Sequence, residues 1–154
     1  MALADIGGPA LPTIIELLGE KEYWSRKGAC LALRAAGPGA EVAVPHLRRL
    51  LESKNRADGP HPGADVENAC EALGAMRGAA RDAVPDLIRL LKSSETYVPG
   101  AAAKALGDMG PEARSAVPAL KELLQDPAVG DSAREALEKI GAPGAPAPEG
   151  SGAR

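Results

Sequence analysis

Ala83-Val84-Pro85-Asp86-Leu87-Ile88-Arg89-Leu90-Leu91 comes back 33 residues later as Ala116-Val117-Pro118-Ala119-Leu120-Lys121-Glu122-Leu123-Leu124. Two more copies lie upstream, at Leu11-Pro12-Thr13-Ile14-Ile15-Glu16-Leu17-Leu18 and Val44-Pro45-His46-Leu47-Arg48-Arg49-Leu50-Leu51, so that the prolines stand 33, 40 and 33 residues apart. Self-similarity at such a period is the signature of a repeat architecture. Counted from each proline, the apolar residues at −1, +2, +5 and +6 are three or four positions apart, as in Val84, Leu87, Leu90 and Leu91. That spacing puts them on one face of an α-helix, the first helix of each unit.

A second pattern alternates with the first: Ala32-Leu33 closing at Gly37, Ala72-Leu73 at Gly78, Ala105-Leu106 at Gly110 and Ala136-Leu137 at Gly141. With Ala29, Ala69, Ala102 and Ala133 upstream at helical spacing, it predicts a second, antiparallel helix in each unit. The closing glycines suit a left-handed cap, and Pro38 and Pro111 supply the φ of a first helical turn. Arg77 stands where the other copies have glycine, which moves the expected cap to Gly78. Pro45, Pro85 and Pro118 fall inside the expected first helices, and an interior proline bends a helix at a cost of ~3 kcal/mol. A bend is therefore expected at each of them. The pattern predicts eight helices, near residues 9–19, 21–36, 40–53, 64–76, 80–93, 96–109, 113–125 and 129–140.

The alternation of Ala-Val-Pro-x-Leu-x-x-Leu-Leu (Ala83–Leu91, Ala116–Leu124) with Ala-Leu-Gly-x-Met (Ala72–Met76, Ala105–Met109) resembles the short HEAT repeats, of the class that includes phycobilisome-lyase-like repeats. The resemblance covers about residues 2–141 and rests on core and cap positions. It implies an all-α fold, a right-handed α-solenoid of about four helical hairpins whose second helices line a concave binding surface. Residues 1–7 match the end of a second helix from a preceding repeat, residues 8–141 form the repeat domain, and 142–154 read as a disordered Pro/Gly/Ala tail. A longer repeat array or a multidomain protein is the expected context. A consensus-like engineered array fits less well, given the irregular insertion and uneven charges.

Composition narrows the function classes. Of 154 residues 45% are hydrophobic, yet Phe is absent and aromatics make up 2%, so the core is built mostly from Ala, Leu and Val on closely packed helices. A formal charge of −3, with no block of like charge, argues against a nucleic-acid surface. No stretch approaches the roughly 20 apolar residues of a membrane span, and Met1–Ala10 lacks the features of a secretory signal, so a cytoplasmic, bacterial-type protein is expected. Cys30 and Cys70 occupy the same position of successive repeats. Packed helices lie ~8–10 Å apart, beyond the ~7 Å Cα separation of a disulfide, so both are expected to be packed thiols.

No catalytic, cofactor or metal constellation emerges. His46 reads as an exposed helix histidine; His61 lies in a loop with Asp65 as its one neighbouring co-ligand, too few donors for a metal. A Gly-x-Ser-x-Gly elbow, a phosphate-binding loop ending in Lys-Ser or Lys-Thr, and a Cys-x-x-Cys pair are all absent from the sequence. The expected function is a non-catalytic scaffold for protein partners; an accessory bilin-lyase-like or other small-molecule-handling protein is the alternative, carrying an enzyme-class reading.

A partner surface is expected on the second helices, opposite the Ala/Leu stripe. Its outward positions are Tyr23, Lys27, Leu31 and Arg34 in the first unit and Gly63, Glu67, Glu71 and Gly74 in the second. In the third they are Thr96, Gly100, Lys104 and Gly107, and in the fourth Pro127, Asp131, Glu135 and Glu138. The partner-binding residues singled out are Tyr23, Trp24, Lys27, Arg34, Glu67, Glu71 and Lys104. Tyr23 is expected outward as an anchor, whereas Trp24 and Tyr97 are expected to wedge between hairpins. The second unit carries seven extra residues within 53–63, a loop at one edge of the array.

Overall fold

The computed structural model describes residues 8–53 and 59–141, and every regular element among them is helical. In chain order these are α1 (Leu11–Leu17), α2 (Tyr23–Ala36), α3 (Val44–Leu51), α4 (Ala64–Met76), α5 (Val84–Leu90), α6 (Val98–Met109), α7 (Val117–Glu122) and α8 (Gly130–Ile140). They form four antiparallel pairs, α1/α2 to α7/α8, stacked as an α-solenoid. Each second helix packs directly on the next, whereas successive first helices meet mainly through the segments that precede them. The expected divisions 1–7 and 142–154 lie outside the described residues. No helix described is long and apolar enough to cross a membrane.

The first helices are shorter than expected because their prolines are not interior. Pro12, Pro45, Pro85 and Pro118 each stand in the first turn, where a missing N–H costs no hydrogen bond. The chain bends five residues earlier instead, at Ala40 (φ −100°, ψ 24°), Ala80 (φ −99°, ψ 16°) and Ala113 (φ −93°, ψ 17°). Each bend lies in a 3-10 segment, Gly37–Ala43, Arg77–Ala83 or Gly110–Ala116, and these three segments stack on one another. Ala40, Ala43, Ala80, Ala83, Ala113 and Ala116 are all fully buried. A larger side chain at any of them would push successive units apart.

The core runs without interruption along the array, with Leu33, Leu47, Leu73, Leu87, Leu106, Leu120 and Leu137 fully enclosed. The +5 leucine of the motif is less covered than expected: Leu50 is buried, but Leu17, Leu90 and Leu123 are half-buried at its margin. Second helices approach each other through small residues. A Cβ built on Gly74 would lie 3.0 Å from the Cα of Ala105, and one on Gly107 would lie 2.8 Å from the Cα of Ala136.

Arg77 does not hand its capping role to Gly78. It takes φ 52°, ψ −132° itself, the conformation of Gly37 (φ 59°, ψ −138°) and Gly110 (φ 70°, ψ −140°). A side chain there carries strain on the order of 1–3 kcal/mol, while glycine loses more entropy on folding. Arg77→Gly is therefore expected to stabilise the chain by about 1 kcal/mol, read as a higher urea midpoint at unchanged slope. A lower midpoint would mean that contacts of the Arg77 side chain outweigh the strain.

The joint between the first two units carries a buried ion pair. Arg26, without solvent exposure, donates from Nε and a terminal nitrogen to the two carboxylate oxygens of Asp65 at 2.9 and 2.8 Å. Its other terminal nitrogen donates to the backbone carbonyls of Glu20, at 2.9 Å, and Lys21. One side chain thus holds the end of the α1–α2 turn, α2 and α4 together.

Candidate protein-docking surface

The second helices present their free face as a row running from α2 to α8, and the structure sorts the expected anchors differently from the sequence. Tyr23 is buried, not outward: its ring lies against α4, where Asn68 donates to its hydroxyl at 3.2 Å. Trp24, one residue on and about 100° further round the helix, is 70% exposed, and Tyr97 is 59% exposed. Neither wedges between hairpins. Both follow from the register of α2 and α6, which turns these rings to solvent and the Tyr23 ring to α4. Gly74 and Gly107, expected outward, are buried because α4 and α6 each pack on two second helices and leave a narrower free face than a simple inside-outside division predicts.

Lys27, half-buried, places its ammonium 5.3 Å from the centre of the Trp24 ring and 6.0 Å from that of Tyr23. The two rings meet edge to face at 5.1 Å. Arg34 reaches across to α4 and donates to Glu71 at 2.8 Å, an exposed pair worth little in itself. At the far end Lys139 on α8 bonds Asp108 on α6 at 2.9 Å and Glu135 on its own helix at 2.8 Å.

The middle of the row is different. Glu67 on α4 has a carboxylate oxygen shielded from solvent and without a hydrogen bond, with His61 Nδ1 at 3.6 Å. Loss of solvent holds its carboxyl above the ordinary value, and the neighbouring Glu71 and Glu95 add to the shift that His61 partly relieves. Lys104 on α6 is exposed and makes no ion pair among the described residues. Of the singled-out residues, Trp24, Lys27, Arg34, Glu67, Glu71 and Lys104 therefore share the second-helix row, and Tyr23 supports it from beneath.

The 53–63 insertion contributes its described end. Gly59 lies against the Tyr23 ring, and the His61 ring tilts onto Tyr97 at 4.9 Å. Residues 54–58 lie outside the described residues. Asp65 is no co-ligand of His61, because Arg26 occupies both of its oxygens. His46 is half-buried rather than exposed: it lines a cleft of about 360 Å³ with Ile15, Leu18, Arg49 and Leu50, and its Nδ1 has no hydrogen-bond partner. No group of three or more His, Cys, Asp or Glu that could hold a metal occurs among the described residues.

Cys30 and Cys70 are buried free thiols. Burial, and after it the Asp65 carboxylate, pushes the Cys30 thiol up to about 12; Cys70 is raised by the same first cause, with Glu67 next. Such thiols stay neutral and unreactive near pH 7. The pairing of Arg26 with Asp65 escaped the sequence reading, which set Asp65 beside His61, because the two residues sit on ordinary-looking helices, 39 residues apart. The one available signal was their departure from the repeat, since the positions of Arg26 are taken by Val66, Pro99 and Gly130 in the later units.

Hairpins repeated along one axis, with short turns and a continuous small-residue core, define a helical-repeat solenoid. A family model described as HEAT repeats matches residues 64–147. The chain belongs to the HEAT-repeat family. It is also similar to a crystal structure of an engineered protein, a structural-genomics target, at a TM-score of 0.62 and 26% identity over 90% of this chain and 70% of that one. No curated protein matches the sequence.

Proposed function

We propose that the chain is a non-catalytic scaffold that docks a protein partner across the row of second helices, centred on α4 and α6. The observation that carries this reading is a pair of incompletely satisfied charged groups at the middle of the row. Charges at the α2/α4 and α6/α8 joints are neutralised by Arg34–Glu71 and Lys139–Asp108. At the α4/α6 joint Glu67 is short of a hydrogen bond and Lys104 has no ion-pair partner among the described residues. A half-desolvated carboxylate gains most from a partner that supplies a donor, and an opposed lysine adds charge complementarity.

The test is affinity capture from cell extract with the full chain and with the swap variant Glu67→Lys/Lys104→Glu, which keeps net charge constant. Capture is expected to fall at least tenfold, on the order of 1.4 kcal/mol or more, while circular dichroism stays unchanged. Undiminished capture by the swap variant would remove the centre of the proposed surface.

A further inference from the structure

Gly63 fixes what lies on the α4/α6 joint. It takes φ 85° directly before α4, and a Cβ there would meet the Glu95 carboxylate and lie 2.7 Å from Val98 Cγ2, so any side chain would displace one of them. The chain entering α4 is thereby seated on the joint, with the His61 ring tilted onto Tyr97 at 4.9 Å. In that position His61 Nδ1 faces two oxygens, the Pro62 carbonyl at 3.1 Å and the Glu67 carboxylate at 3.6 Å. A carbonyl only accepts, so Nδ1 carries hydrogen whether the ring is neutral or charged, and the proton that comes and goes sits on Nε2. Protonation therefore changes the charge beside Glu67 without requiring a new contact.

Glu67 is placed to respond to that charge. One of its oxygens is shielded and has no hydrogen bond, and His61 lies within ion-pair distance of it. Loss of solvent raises its carboxyl, His61 opposes the rise, and Glu71 on α4 and Glu95 before α6 add to it. The other elements packed here bring charges that are engaged elsewhere or unpaired. Arg34 on α2 is held by Glu71, and the Tyr23 hydroxyl by Asn68. Helix α6 brings the Tyr97 ring and, about two turns on, Lys104, which makes no ion pair among the described residues.

We propose that the charge of His61 regulates the docking row: neutral, it leaves Glu67 open to a basic side chain of the partner, and protonated, it takes the carboxylate itself. This rests on the docking role of Glu67. Histidine is the side chain whose charge ordinarily changes between about pH 5 and 8. Lowering the pH across that range adds a positive charge beside Glu67 that competes with an incoming base, and raising it removes the competitor. Docking through Glu67 is therefore stronger on the alkaline side.

Carbon-13 NMR of the full chain over roughly pH 4–8 tests it, following the Glu67 carboxyl carbon and the His61 ring together. The Glu67 carbon is expected to show a second inflection that coincides with the titration of the ring. In His61→Gln that inflection should vanish, and Glu67 should take up its proton about half a pH unit or more higher. N-acetylargininamide serves as the basic probe, its binding read from the same carbon. Half-saturation should need about threefold or more probe at about pH 6 than at about pH 8, and His61→Lys, which keeps the charge, should bind poorly at both with circular dichroism unchanged. A Glu67 carbon indifferent to the ring, equal probe binding at the two pH values, or His61→Lys binding as the parent does on the alkaline side would each overturn the proposal. Undiminished capture from extract by Glu67→Lys/Lys104→Glu would instead overturn the docking role on which it rests, whatever the probe shows.

Discussion

Arg26→Met is expected to destabilise the chain by about 3–5 kcal/mol, the cost of leaving a buried carboxylate without its cation. Asp65 retains only 8% exposure of its side chain, and both of its oxygens are committed to Arg26. The double variant Arg26→Met/Asp65→Leu should recover much of that loss, because removing both charges also removes the desolvation penalty. Urea unfolding of the two variants and the parent checks both statements. A loss below about 1 kcal/mol in the single variant would mean that water reaches Asp65 and that the joint does not depend on the pair.

The second large effect concerns position along the array. Leu73 on α4 and Leu137 on α8 are the same motif residue and are equally buried. Leu73→Ala should cost ~2–5 kcal/mol as a large-to-small change in a packed core. Leu137→Ala should cost less, because among the described residues α8 packs on a second helix on one side only, and repeat stability is a sum of nearest-neighbour terms. Amide exchange separates the two: loss of protection should centre on α4 and its neighbours α2 and α6 in the first case, and stay in α7 and α8 in the second. Equal losses spread over the whole chain would mean that the solenoid unfolds as a single cooperative unit.

Much of the fold was legible because it is written in period. The second helices fall within two residues of their expected bounds, since Ala-Leu pairs and closing caps mark them at both ends. The first helices were drawn too long, because a proline at the second position of a helix and one inside it look alike without knowing where the chain bends. The signal was present in Ala40, Ala80 and Ala113, each five residues before its proline, but an alanine at a bend has no distinctive chemistry. Arg77 was misread for a related reason: a glycine next door is a cheaper cap, and only the backbone reveals that the chain keeps the repeat register at the expense of local strain.

The candidate surface was less legible. Periodicity gave the helix face to within about one position, and one position separates Tyr23 from Trp24. A rotation of about 100° per residue turns the expected anchor into a buried support and a supposed wedge into an exposed ring. Lys27, Arg34, Glu67, Glu71 and Lys104 tolerate that error better, as long polar side chains reach the surface from flanking positions. The contacts that tie distant residues, Arg26 to Asp65 and Asn68 to Tyr23, depend on three-dimensional register that spacing alone does not supply.

The joints between units differ in kind, and this bears on how such an array can lengthen. At α4/α6 and α6/α8 a glycine backbone rests on an alanine, a contact that any unit carrying the same two small residues can reproduce. The α2/α4 joint is instead keyed by Arg26, Asp65, Tyr23 and Asn68, which occur together once in the chain. Duplication of the unit built from α5 and α6 would place matching surfaces on both sides of the copy. Copying the first unit would leave an arginine facing serine or valine in place of its aspartate, so the array is modular at the α4/α6 and α6/α8 joints and fixed in order at α2/α4.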